Sequence, residues 1–130
     1  MVPQRLLLID DDDDCNTLVK FVLEQDTNWQ ILTANNGKEG IAIARSEHID
    51  IILLDIVMPE LNGLDVYKLL KSDLYTCTIP IIFMTAIMPI APILKSQITD
   101  DVEVIIKPFD INKLALKIME ACEHYDLLSA

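Results

Sequence analysis

Five aspartates in succession, Asp10 to Asp14, and an isolated one, Asp55, are the residues of this 130-residue chain best equipped for chemistry. With Thr85 and Lys107 they share a position: the apolar runs Leu6–Ile9, Ile51–Leu54, Ile81–Met84 and Val104–Ile106 stop at Asp10, Asp55, Thr85 and Lys107. Crowded carboxylates repel and raise one another's pKa unless a cation joins them. The hard oxygens of Asp10, Asp11 and Asp55 suit Mg²⁺ better than zinc or copper. Held by few protein ligands, Mg²⁺ keeps several waters and accepts a phosphoryl oxygen. One carboxylate can then attack phosphorus while the metal and an ammonium neutralise the transferring oxygens. Lys107 offers the ammonium, and the Thr85 hydroxyl can donate to a phosphoryl oxygen. The only glycines, Gly37, Gly40 and Gly63, form no glycine-rich phosphate loop, so no bound nucleotide is expected. Each residue also has a plainer use: helix cap, turn former or surface charge. Their joint placement at four strand ends argues for one pocket.

The elements that must build this pocket alternate strictly. Leu6–Ile9 reads as a buried strand, and one of Asp12 to Asp14 caps a helix whose apolar face is Leu18, Val22 and Phe21. Trp29–Ala34 is a weaker second strand, followed by the turn Asn35-Asn36-Gly37 and a helix lined by Ile41, Ala42 and Ala44 that ends near His48. Ile49–Asp55 is nearly unbroken in its apolar character, as a strand covered on both faces must be. Pro59 stops it, Asn62-Gly63 turns the chain, and Leu64, Leu69 and Leu70 mark a helix to about Ser72. Ile79–Met84 and Val102–Ile106 are the fourth and fifth strands. Ile111, Leu114, Ala115, Ile118, Met119 and Cys122 trace a final helix that ends about six residues before Ala130. Five strand–helix units predict a doubly wound, five-stranded parallel sheet of flavodoxin-like order 2-1-3-4-5 with helices on both faces. That order sets strands 1 and 3 side by side, so Asp10, Asp11 and Asp55 converge.

Length and an apolar fraction of 52% fit one α/β domain with an aliphatic core. The net charge of −11 argues against direct nucleic-acid binding or an anionic membrane. Cys15, Cys77 and Cys122 lack metal-ligand spacing and read as reduced cysteines of a cytoplasmic protein. The first residues run directly into a strand, leaving no room for a signal peptide. The longest apolar stretch, Ile79–Leu94, is too short to span a membrane and carries Pro80, Pro89 and Pro92.

Ile9-Asp10-Asp11, Leu53-Leu54-Asp55-Ile56-Val57-Met58-Pro59 with Asn62-Gly63, Met84-Thr85-Ala86 and Ile106-Lys107-Pro108-Phe109 together resemble the receiver domain of two-component response regulators. The resemblance covers essentially the whole chain, residues 1–130, with no output domain expected within it. It implies that Asp55 accepts a phosphoryl group from a histidine kinase or phosphotransfer protein. It also implies that Asp10, Asp11, Asp55 and the Val57 backbone carbonyl hold Mg²⁺, and that Thr85 and Lys107 engage the phosphoryl oxygens. A cis peptide before Pro108 is implied as well. Such a protein is a signalling domain that assists its own phosphorylation and slow dephosphorylation, and it acts through altered contacts of its last two strand–helix units.

Three positions depart from the family's habit. Val104 stands where an aromatic ring often reports activation. Ala86 to Leu94 is apolar and proline-rich where a polar loop and fourth helix are usual, so that helix is expected to start near Pro92 and to be short. With the fifth strand and final helix, this apolar face is expected to dock a downstream partner or a second copy. Val57 and Ile87 offer no group to orient an attacking water, which predicts a slowly decaying phosphoryl state. Two other readings compete. One is a receiver-like adaptor that binds partners without phosphorylation. The other, a haloacid-dehalogenase-type phosphohydrolase with Asp10 as nucleophile, lacks a cap insertion and leaves Asp55 unexplained.

Overall fold

The computed structural model describes residues 3–86 and 102–129, with side chains through Tyr125. Strands β1 (Arg5–Ile9), β2 (Gln30–Ala34), β3 (Ile51–Asp55), β4 (Ile81–Thr85) and β5 (Glu103–Ile106) form one parallel sheet in the order β2-β1-β3-β4-β5. The described helices are α1 (Asp13–Asp26), α2 (Gly37–Ser46), α3 (Gly63–Lys71) and α4 (Leu114–Ser129), the last preceded by a 3₁₀ turn, Ile111–Lys113. The short fourth helix expected near Pro92, and Ile87 with it, lie outside the described residues.

Alternation along the strands sorts the core into two layers. Leu7, Ile9, Ile52, Leu54, Ile81 and Phe83 meet α2 and α3 through Ala44, Val66, Tyr67 and Leu70. Leu6, Leu8, Ile51, Leu53, Ile82 and Met84 meet α1 and α4 through Val19, Leu23, Leu114 and Ile118. Every residue of β3 and β4 is buried, which explains their unbroken apolar sequences.

Several helix faces differ from the sequence expectation. In α1 the buried stripe is Asn16, Val19 and Leu23, whereas Leu18 and Phe21 are exposed. Two apolar stripes compete on this helix, and the sheet selects the one that carries the asparagine. In α2, Ala44 is buried and Ile41 packs against the core as expected, together with Gly37, Gly40 and Ile43, whereas Ala42 is exposed; the helix ends at Ser46, close to the expected end near His48. In α3, Leu69 is exposed while Val66, Tyr67 and Leu70 are buried. The final helix runs on to Ser129, beyond the expected end.

The helix starts are fixed locally. Asp12 caps α1 by accepting from the amides of Asp14 and Cys15 at 3.0 and 3.2 Å. Asn36 and Asn62 cap α2 and α3 in the same way, through the amides of Glu39 and Asp65. At the opposite edge of the sheet, Asp50 accepts from the amides of Gln4 and Arg5, both at 2.9 Å, and ties β1 to the segment entering β3. Among the described residues no helix is long and apolar enough to cross a membrane.

Candidate functional site

The carboxyl edge of the sheet gathers the chemically active residues. Asp10 follows the last residue of β1, and its amide extends the ladder by donating to the Ala34 carbonyl at 3.1 Å. Asp55 ends β3 and is 6% exposed; Asp10 is fully buried. Because β1 and β3 are neighbours, carboxylate oxygens of Asp10, Asp11 and Asp55 all lie within 4.8 Å of one another. Asp11 is the solvent-facing member. This is a set of hard oxygen donors around one point, and it fits a small, hard divalent cation.

Lys107 reaches across from the end of β5. Its Nζ lies 2.6 Å from Asp10 Oδ2 and 3.7 Å from Asp55 Oδ2. The peptide joining it to Pro108 is cis. Its backbone amide donates to the Thr85 carbonyl at 2.8 Å, placing strands β4 and β5 in step at this edge. Thr85 ends β4 and is fully buried. Val57 donates its amide to Asp55 Oδ1 at 3.3 Å while its side chain is exposed.

The electrostatics follow from this crowding. Burial, then the neighbouring Asp10 carboxylate, pushes the Asp55 carboxyl up to about 6, against the opposing pull of Lys107 and the Val57 amide. Burial draws the Lys107 ammonium down, but the Asp10 contact and the Asp55 charge outweigh it and leave its pKa raised. Cys15 borders the same pocket. Burial and the charge of Asp10 push its thiol up to about 11, so it stays protonated and is no nucleophile at neutral pH.

Two contributors were not singled out as functional from sequence. Gly63 resembles an ordinary turn glycine, but a Cβ there would stand 2.2 Å from the Asp55 carbonyl oxygen and 2.6 Å from Ile56 Cα. The left-handed residue of this loop is instead Glu60, with φ 62°. Asn16, a polar residue on the buried stripe of α1, bonds the Asp10 carbonyl at 2.8 Å. Its one sequence signal is a polar side chain at i, i+3, i+7 spacing with Val19 and Leu23.

At its carboxyl edge the doubly wound sheet thus carries an acidic cluster and a lysine. The sequence model of the response regulator receiver domain matches residues 6–119, and the chain belongs to that family, the receivers of two-component systems. It is 39% identical over 98 residues to protein PilH of Pseudomonas aeruginosa, covering 75% of this chain and 74% of PilH. It is 29% identical over 119 residues to the transcriptional regulatory protein ZraR of Klebsiella oxytoca, covering 92% of this chain but only 26% of ZraR. Among solved structures, chemotaxis protein CheY4 of Vibrio cholerae shares the fold with a TM-score of 0.80 at 23% identity, over 90% of this chain and 97% of that one.

Proposed function

We propose that Asp55 is the phospho-acceptor, taking a phosphoryl group from a histidine kinase or a phosphotransfer protein in a Mg²⁺-dependent reaction. The observation that carries this reading is the placement of a nearly buried carboxylate at a strand end, with Asp10 and Asp11 oxygens within 4.8 Å and the Lys107 ammonium at 3.7 Å. An ionised Asp55 oxygen forms a bond to phosphorus as the bond from phosphorus to the donor breaks. The electron pair leaves with the donor, and an aspartyl phosphate remains. Without metal, burial and Asp10 hold the Asp55 carboxyl up to about 6, and a bound cation would favour the ionised form that attacks.

Asp10, Asp11, Asp55 and the Val57 backbone carbonyl would hold Mg²⁺, which when bound neutralises charge on the transferring oxygens. Lys107 would give up part of its contact with Asp10 for a phosphoryl oxygen, and Thr85 would donate its hydroxyl to another. Both residues end strands of the last two strand–helix units, so their movement alters the protein-contact face there, for a downstream partner or a second copy. The reaction belongs to a signalling domain in the cytoplasm that assists its own phosphorylation and slow dephosphorylation.

Intact mass after incubation with Mg²⁺ and acetyl phosphate tests the reading. The wild type is expected to gain one phosphoryl group, and neither Asp55→Asn nor the metal-free wild type should gain any. Labelling that survives Asp55→Asn and disappears in Asp10→Asn would overturn it.

A further inference from the structure

Asn16 occupies a position on α1 where an apolar side chain is the ordinary choice, in line with Val19 and Leu23. Its Nδ2 donates to the Asp10 carbonyl at 2.8 Å and reaches the Ala34 carbonyl at 3.4 Å. Its Oδ1 is buried without a hydrogen-bond partner among the described residues. A buried acceptor with no partner is a cost that an apolar residue of similar shape avoids. The donor half of the amide is therefore what the position uses.

The carbonyl it holds belongs to the peptide plane that joins Asp10 to Asp11. That plane is rigid, so fixing its oxygen fixes the direction in which the chain enters Asp11. Asp10 itself is secured by other groups: its amide by the Ala34 carbonyl, and its carboxylate by Lys107 and the Asp12 amide. Asp11 is exposed, yet its carboxylate stays with those of Asp10 and Asp55. We propose that Asn16 is a positioning residue for the metal-binding carboxylates: by clamping the Asp10–Asp11 peptide plane it keeps the Asp11 carboxylate turned toward Asp10 and Asp55. This rests on the Mg²⁺ reading above.

The test is an NMR titration with Mg²⁺ of the wild type, Asn16→Ala, Asp11→Ala and the double variant. Thr76→Val serves as a control, because it removes a buried hydrogen bond to Leu70, far from the acidic cluster in the sequence and on another loop. Asn16→Ala is expected to weaken Mg²⁺ binding about tenfold, as loss of a group that orients metal ligands does. In the Asp11→Ala background the same change should add nothing, because Asn16 acts through Asp11. Thr76→Val should bind like the wild type. In the metal-free protein, amide exchange at Asp11 and Asp12 should quicken in Asn16→Ala and not in Thr76→Val.

Unchanged Mg²⁺ affinity in Asn16→Ala, or losses that add in the double variant, would overturn the assignment while leaving Asp55 as acceptor. Should the alanine variant fail to fold, Asn16→Leu fills the volume without a donor and must show the same loss. A wild type that binds no Mg²⁺ would instead refute the metal reading, and the clamp's function with it.

Discussion

Replacing Asp55 by asparagine removes a charge from a place where charge is unfavourable, and the cost can be worked out. An unfolded aspartate ionises near 3.8, whereas this one, nearly buried beside Asp10, holds its proton to about 6. Each pH unit of such a difference is worth about 1.4 kcal/mol, so the ionised folded form bears a penalty of about 3 kcal/mol. The sign is that of an acid with a raised pKa. The stabilising contribution of its protonated form is fully present below 3.8 and is lost as pH rises through about 6. Asparagine is neutral throughout and still offers an oxygen to the Val57 amide. Metal-free urea denaturation between about pH 4 and pH 8 should therefore show Asp55→Asn gaining on the wild type as pH rises, by up to about 3 kcal/mol. Excess Mg²⁺, held by the native carboxylates as proposed, should close much of that gap at pH above 6 by stabilising the wild type through mass action. Parallel stability curves for the two proteins would refute the reasoning, as would Mg²⁺ stabilising the asparagine variant equally.

Three other outcomes follow from the geometry. Gly63→Ala drives a Cβ against the Asp55 backbone, so it should cost about 2–3 kcal/mol in urea denaturation and slow acetyl phosphate labelling of whatever remains folded. Asp50→Ala removes the acceptor of the Gln4 and Arg5 amides at a cost of about 2 kcal/mol at neutral pH. Burial opposes ionisation of Asp50, but those two amides and His48 outweigh it and hold its pKa below 3.8. Its stabilisation is therefore present above 3.8 and lost as pH falls through its lower folded value, so the gap to Asp50→Ala should narrow in acid denaturation. Val57→Asn places a polar group beside the phosphorylated Asp55 and should shorten the aspartyl phosphate half-life about five- to tenfold, the worth of one hydrogen bond made in the transition state; a half-life equal to the wild type's would count against water exclusion by Val57.

The division between what the sequence disclosed and what it did not has a physical basis. The strands and the polar residues that end them were legible because fully covered strands are apolar along their length, so Asp10, Asp55 and Thr85 mark where β1, β3 and β4 stop. Strict strand–helix alternation then set strands 1 and 3 side by side. The inward face of α1 was not legible, since Leu18 and Phe21 supply as good a stripe as Val19 and Leu23, and only the sheet decides between them. Gly63 looked like a conformational glycine, yet the left-handed φ falls on Glu60, and the need at Gly63 is room for the Asp55 backbone. That need exists only once β3 and α3 have met.

Buried polarity then separates structural from functional residues. Among the described residues, the buried polar or charged side chains are Asp10, Asn16, Asp55, Thr76 and Thr85. Thr76 is accounted for locally by its bond to the Leu70 carbonyl. The other four lie in or next to the carboxyl edge of the sheet, where Asp55 bears a raised pKa and Asn16 an unpartnered oxygen. An interior chosen for stability alone would place leucine or valine at such positions, as it does along the rest of these strands. The destabilising choices are concentrated where a cation and a phosphoryl group would relieve them, and that concentration is the strongest physical argument that this edge is kept for chemistry.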